Sequence, residues 1–421
     1  MDRLRRDVFP RKAPILVDAE LAGAESKFAA DNGRRKGESG SDLTDNRACH
    51  VVFLSKGICS GQATPLAPFG KAFMDSPLAL HAGRRVRERI LRDGFRYADF
   101  DVVLGAAGGP KWLVLYGLDQ VLAPALAAQP RPRTLVGASV GAWRLATYLQ
   151  ADPRAALDRL LARYRDPTFF AEARPDMTAR FEEDVAAVLG PEGLEALVEG
   201  GGNQLYAVLT AFGPGAARLP LRLGLTALAN AVRPLSFAGG PAQRVLAGPK
   251  PAPAWLQDAL PGASLALQPE QWAKALLATA AVPGLIRPVA GLLGPARPRD
   301  LCLDGGIADY HFGAIPRHEG FALYPHFYSH LVPGWFDKPF PRRWRTPEAI
   351  DHLLLIAPSP AFVASLPGGK IPDRQDPRAL SGDALAARWG QVAEASKALG
   401  ERWARLTEGE GAGLAAQLAQ A

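Results

Sequence analysis

The stretch RTLVGASVGAWRLATYL, residues 133–149, constrains the fold of this chain more than any other. Its first half is apolar and β-branched, the pattern of a buried strand. Its second half has helical spacing, and between the two halves Gly137 and Gly141 bracket Ser139. A strand that turns this tightly into a helix belongs to a layered α/β sheet, and the turn exposes the side chain at its apex.

The alternation continues on both sides. DVVLG (101–105) is a short apolar run stopped by glycine, and LVLYGLDQVLAPAL (113–126) has helical spacing. In DPRAALDRLLARYRD, Asp152 is placed to cap a helix and Pro153 to open it. Further strands are expected at 204–212, 244–248, 301–306 and 352–359. The fold class is therefore α/β, with a mostly parallel central sheet flanked by helices. GDALAARWGQVAEASKALGERWARL (382–406) reads as one amphipathic C-terminal helix packed on the domain. LAPALAAQ (122–129) and GLTALANAV (224–232) read as core-packing segments, with an acyl pocket or lid as the other use.

Residues 1–75 differ from the rest. ADNGRRKGESGSDLTDN (30–46) is polar and lacks periodic apolar positions, so this extension is expected to be disordered or loosely attached. Only HVVFL (50–54) has strand character there, and residues 1–73, ahead of Met74, are expected to be dispensable, an upstream extension of the reading frame. The basic N-terminus is not followed by a long apolar run, so it does not read as a secretory signal. ALLATAAVPGLIRPVAGLLG (275–294) is the best candidate for a membrane span, but Pro283, Arg287 and Pro288 interrupt it, and buried structure is expected instead.

A net charge of +7 over 421 residues is a mild basic excess. It suits peripheral contact with an anionic lipid surface and does not demand nucleic acid. Cys49, Cys59 and Cys302 are too scattered for a disulfide framework or a zinc knuckle, which points to a reduced, cytoplasmic setting without a metal or cofactor.

Three segments carry chemistry. Gly137-Ala138-Ser139-Val140-Gly141 has the strand–turn–helix context of a nucleophile elbow, with the helix dipole directed at any oxyanion. A serine needs a base, and Asp304 in CLDGGIADY (302–310) ends an apolar run before Gly305 and Gly306. That places it at a strand's carboxyl end, on the same edge of the sheet as Ser139, where desolvation makes it a better base. LGAAGGPKW (104–112) is again strand, glycine loop, helix, and Gly108 and Gly109 can present bare amides to developing negative charge. It contains no G-K-[S/T] and no clean G-x-G-x-x-G, so nucleotide binding is disfavoured.

These segments, in this order, resemble the patatin-like phospholipase family over roughly residues 77–325, and ATAAVPGLIRPV (278–289) is similar to that family's small-residue segment before its D-G-[G/A]. The resemblance implies a patatin-like layered fold, with a catalytic domain over 76–365 and a helical segment over 366–421. It also implies a Ser–Asp dyad acting on lipid or phospholipid esters: Ser139 as nucleophile, Asp304 as its activator, and the amides of Gly108 and Gly109 as oxyanion donors. The loop departs from the family pattern: Ala107 stands for the first glycine and Trp112 for the last, and Pro110 cannot donate an N–H. Lys111 is expected to be solvated or structural.

The segment DYHFGAIPRHEGFALYPHFYSH (309–330), just after Asp304, contains four histidines: His311, His318, His326 and His330. A histidine after the acid would complete a Ser–Asp–His order, with His311 the reserve candidate, and His326 and His330 are four apart, as helical metal ligands would be. Pro325 and the aromatic neighbours favour packing or loop positions. The competing class is a non-catalytic lipid-binding or scaffolding protein, favoured by the departures in the glycine loop.

Overall fold

The computed structural model describes residues 76–168, 177–190, 192–199, 202–380 and 382–420. The expectations for the N-terminal extension, including the strand at 50–54 and the positions of Cys49 and Cys59, lie outside these residues. The strands are β1 (Leu78–Ala82), β2 (Phe100–Gly105), β3 (Thr134–Ala138), β4 (Gln204–Phe212), β5 (Ala242–Gly248), β6 (Ala263–Ala266), β7 (Val289–Ala290), β8 (Leu301–Leu303), β9 (Phe321–Pro325) and β10 (Leu353–Pro358). They form one mixed sheet in the order β1-β10-β9-β2-β3-β4-β5-β6, with β8 also on β4 and β7 on β8. Its centre, β10-β9-β2-β3-β4, is parallel throughout. β2 and β10 are buried along their whole length, as strands covered on both faces must be.

The longer helices are α1 (Arg84–Asp93), α2 (Tyr116–Ala127), α3 (Val140–Tyr148), α4 (Pro153–Tyr164), α5 (Thr178–Leu189), α6 (Leu219–Val232), α7 (Pro269–Thr279), α8 (Gly382–Ala395), α9 (Lys397–Thr407) and α10 (Ala412–Gln420). Helix α4 starts as its sequence demands, with the Asp152 carboxylate accepting from the Ala155 amide at 3.0 Å and Pro153 at its first position. Helix α3 is buried at every position, so it runs through the interior beside the sheet.

Several elements differ from the sequence expectation. The apolar run at 301–306 is strand only to Leu303 and then turns into a 3-10 segment, Gly305–Ile307. The segment at 382–406 is two helices that break at Ser396, whose hydroxyl donates to Ala393 O at 2.6 Å and accepts from the Gly117 amide at 2.8 Å. The break seats Gly400 on Gly117 so closely that a Cβ at 400 would lie 2.1 Å from the Gly117 carbonyl oxygen. The stretch at 275–294 is the end of α7, a turn through Pro283 and the short strand β7. Among the described residues no helix is long and apolar enough to cross a membrane. The segment at 224–232 is not core: it lies in α6, where only Thr226 and Asn230 of those residues are buried.

Candidate active site

The expected pairing of Ser139 with Asp304 is reached by a different topology from that read in the sequence. β8 runs antiparallel to β4, whereas β3 runs parallel to it. β5 pairs with both Val208 and Thr210 of β4, so β3 and β8 must share the opposite edge. Along that edge β3 ends at Ala138, opposite Val208, and β8 ends at Leu303, opposite Thr210. The two strands meet head to head, and the next residue of each, Ser139 and Asp304, stands at the seam.

Ser139 occupies the apex before α3 with φ 53° and ψ −132°, a conformation L-residues rarely adopt and one that stores about 1–3 kcal/mol of strain. Its surroundings over-determine it. The Ser139 amide donates to Thr279 Oγ1 at 2.9 Å, and that hydroxyl donates to Val208 O at 2.6 Å. Gly137 and Gly141 let β2, β3 and α3 close up: a Cβ at 141 would sit 2.0 Å from Gly105 O, and one at 137 would sit 2.6 Å from Ala142 N.

The Ser139 hydroxyl donates to Asp304 Oδ2 at 2.7 Å. The other carboxylate oxygen, Oδ1, accepts from the Gly306 amide at 2.7 Å. The aspartate backbone is fixed as well, its amide donating to Ala281 O at 3.1 Å and its carbonyl accepting from Thr210 Oγ1 at 3.0 Å. Gly305 passes so near β4 that a Cβ would lie 2.0 Å from Val208 O, and at Gly306 a Cβ would lie 2.8 Å from both Ala107 Cβ and Asp304 Oδ1. Burial raises the Asp304 pKa above the usual carboxylate range. The Ser139 hydroxyl, Arg374, the Gly306 amide and Lys338 oppose that rise.

The glycine loop lies beside the pair. Gly109 has φ +56°, the left-handed region that favours glycine, and lines the same cleft as Ser139. Gly108 has φ −179° and ψ −6°, and a Cβ there would lie 2.7 Å from the Phe327 ring. Among the described residues neither amide has an acceptor, whereas the Ala107 amide is spent on Tyr310 O at 2.9 Å. Pro110 falls in the first turn of the 3-10 segment Gly109–Leu115, where its missing N–H costs nothing. Trp112 is fully buried against Tyr116 and Tyr164. Lys111 is buried rather than solvated, its ammonium 5.8 Å from the Tyr328 ring centre. The departures in this loop are thus absorbed by packing.

The cleft over Ser139 is walled by Trp143, Phe181, Leu285 and Ile286 on its apolar side. Val140, whose amide opens α3 beside the serine, also lines it. Two polar features were not legible in the motifs. Arg163 and Arg180 both bond Asp184, which faces the cleft, and Arg374 enters from the C-terminal segment with its guanidinium 4.8 Å from the Trp335 ring centre. Arg374 makes no ion pair with any described residue. Nothing in its local sequence marked it, because its place depends on how residues 366–380 pack against the rest of the fold.

The histidines stand elsewhere. His311 is fully buried and stacked on Tyr310, and its Nδ1 accepts from the Val332 amide at 3.1 Å. Burial and then the neighbouring His326 push its pKa well below the usual value. His326 follows β9 directly, so the helical spacing with His330 that metal ligation would use does not form, in keeping with the packing or loop position expected of it: Pro325 ends a strand there. Burial pushes His326 down to about 3. His330 stacks on Trp344, and His318 bonds the Asp101 carboxylate at 2.7 Å. Among the described residues no group of three or more His, Cys, Asp or Glu side chains is placed to hold a metal. No protein-family model matches the chain, and no curated protein matches it in sequence.

Proposed function

We propose that this protein is a patatin-like lipid acyl hydrolase that cleaves carboxylic esters through an acyl-enzyme on Ser139. One observation carries the reading: the 2.7 Å hydrogen bond from the Ser139 hydroxyl, on a strained elbow, to a buried carboxylate that has no other side-chain partner among the described residues. A structural serine gains nothing from φ 53° at the floor of an apolar cleft, and strain held in place by so many contacts is a mark of function.

In the proposed reaction Ser139 Oγ attacks the ester carbonyl while Asp304 accepts its proton. The tetrahedral oxyanion is met by unspent amides, those of Gly109 and Val140, which line the cleft, with Gly108 preceding Gly109 in the loop. The protonated Asp304 then gives its proton to the leaving alcohol, and water, activated by the same carboxylate, releases the acid. The apolar wall of Trp143, Phe181, Leu285 and Ile286 suits an acyl chain. Among the described residues no histidine bonds Ser139 or Asp304, and His311 and His326 are tied to the backbone of Val332 and Tyr328 instead, which argues against a Ser–Asp–His arrangement. The test is labelling with a fluorophosphonate probe: the parent protein should be labelled and Ser139→Ala should not. A folded parent that takes up no label would remove the hydrolase reading and leave the non-catalytic lipid binder.

A further inference from the structure

Helix α6 turns an apolar stripe to solvent. Leu221, Leu225, Leu228 and Val232 are 55–82 % exposed, and only one other large hydrophobic, Leu91, is comparably exposed among the described residues. Their spacing of four, three and four puts them on one face, a stripe about 16 Å long at the helical rise. The opposite face is anchored. Leu219 and Leu223 pack with Phe212, Phe237, Leu303 and Trp335, and Asn230 donates to Asp337 Oδ1 at 2.9 Å. The stripe is therefore held outward by a rigid helix.

The charges of its own segment have one sign. Residues 200–257 contain no Asp or Glu, yet they include Arg218, Arg222, Arg233, Arg244 and Lys250. Arg218 and Arg233, at the two ends of α6, are exposed and make no ion pair with any described residue. Arg343 caps the helix by donating to Asn230 O at 2.7 Å and Ala231 O at 2.8 Å, which brings Arg342, exposed and in no ion pair with a described residue, to the same end. Leucines projecting between arginines, in a segment without Asp or Glu and with the neighbouring Asp337 buried and paired with Arg343, match an interface of hydrocarbon beneath anionic headgroups. A second copy would cover the leucines but bring these cations face to face, whereas an anionic lipid surface supplies hydrocarbon and negative charge together.

We propose that α6 is a membrane-docking helix, which inserts Leu221, Leu225, Leu228 and Val232 into an anionic lipid surface while Arg218, Arg233 and Arg342 meet its headgroups. The placement also bears on the cleft. The buried face of α6 rests on Trp335, and Trp335 carries the Arg374 that lines the cleft over Ser139. Docking does not rest on the acyl-hydrolase reading, because it needs neither Ser139 nor Asp304.

The test is co-sedimentation of the full chain with phosphatidylcholine vesicles, with and without phosphatidylglycerol. The parent should bind the anionic vesicles at least tenfold more tightly than the neutral ones, and added salt should weaken binding. Leu225→Glu/Leu228→Glu should lose that binding at least tenfold while keeping its circular dichroism spectrum and melting temperature, since both positions are exposed. Ser139→Ala should bind as the parent does, so a failure of the catalytic reading leaves this result intact. Equal binding by the parent and the double variant would overturn the proposal, as would a parent that ignores anionic vesicles. A parent dimer that the double variant converts to monomer, without vesicle binding, would assign the stripe to self-association instead and equally overturn it.

Discussion

Ser139 and Asp304 are joined by a 2.7 Å hydrogen bond across the point where β3 and β8 end head to head on one edge of β4. Neither residue is carried by a flexible loop. β4 sets the separation of the two strand tips, and Thr210 and Thr279 tie both turns back to it or beside it. Groups that act as one unit lose function together. Ser139→Ala and Asp304→Asn should each lower kcat on a p-nitrophenyl ester by on the order of 10⁴ or more, and the double variant should be scarcely worse than either single one. Additive losses would mean that the two side chains do not share one proton transfer.

The pH dependence follows from the buried carboxylate. Asp304 must be ionised to accept the serine proton, and burial raises its pKa. The acid limb of kcat/KM should therefore lie above the ordinary aspartate range, activity rising with pH through it. Stability runs the other way. A carboxylate whose folded pKa exceeds its unfolded value contributes stability that is complete below the unfolded value and is lost as pH rises through the folded one. Asp304→Asn removes that cost while keeping the shape of the side chain. Its melting temperature relative to the parent should climb as pH rises from about 4, the ordinary aspartate value, towards neutrality. A constant difference across that range would show that Asp304 titrates normally.

Thr279 offers a test of the elbow itself. Its hydroxyl accepts from the Ser139 amide and donates to Val208 O, both inside the protein. Thr279→Val keeps the volume but leaves a buried N–H and a buried carbonyl unpaired, which costs about 1–3 kcal/mol per group. The strained φ of Ser139 then loses one of its supports. Kinetics should show kcat down by roughly tenfold or more, with KM little changed. Thr279→Ser should restore most of the rate, an effect expected of a hydrogen bond and not of packing.

How much of this was legible in the sequence divides by range. The elbow, the Asp-Gly-Gly turn and β4 could be read because each is a local pattern: apolar alternation or run, then glycine where two backbones must touch. β9 was not read, because FALYP is short, ends in proline and stands among histidines and aromatics whose burial is set by strands far away in the chain. The antiparallel course of β8 was equally invisible, since a three-residue strand carries no sign of direction. Arg374 and the outward stripe of α6 depend on which face of a segment meets the rest of the protein. Periodicity locates an apolar face without saying whether anything covers it.

A buried ion pair secures α3 against α2 and supplies a prediction about stability alone. The Arg144 guanidinium donates through Nε to Asp119 Oδ2 at 2.8 Å and through Nη2 to Asp119 Oδ1 at 2.6 Å, and the Tyr148 hydroxyl donates to the same Oδ1 at 2.7 Å. Both charged side chains are almost fully buried. Asp119→Ala strands a charge in the interior, and urea denaturation should show a loss of about 3–5 kcal/mol. Replacing the pair together, as Asp119→Leu/Arg144→Met, should recover a large part of that loss, because the penalty belongs to the unpaired charge.

The glycine loop separates conformation from packing at two adjacent glycines. At Gly109 an added Cβ meets nothing within 4 Å, so alanine there carries only the left-handed backbone penalty of about 1–2 kcal/mol. At Gly108 an added Cβ would lie 2.7 Å from the Phe327 ring, so alanine must displace buried aromatic structure. Gly109→Ala should thus melt within a few degrees of the parent, whereas Gly108→Ala should melt clearly lower. If the loop holds the oxyanion, relaxing φ at Gly109 turns its amide away, and kcat should fall by about tenfold or more despite the intact dyad. Fluorophosphonate labelling of Ser139 should slow in parallel, because its phosphoryl oxygen occupies the same place. An unchanged kcat in Gly109→Ala would move the oxyanion donors from this loop to the amides at the start of α3, led by Val140.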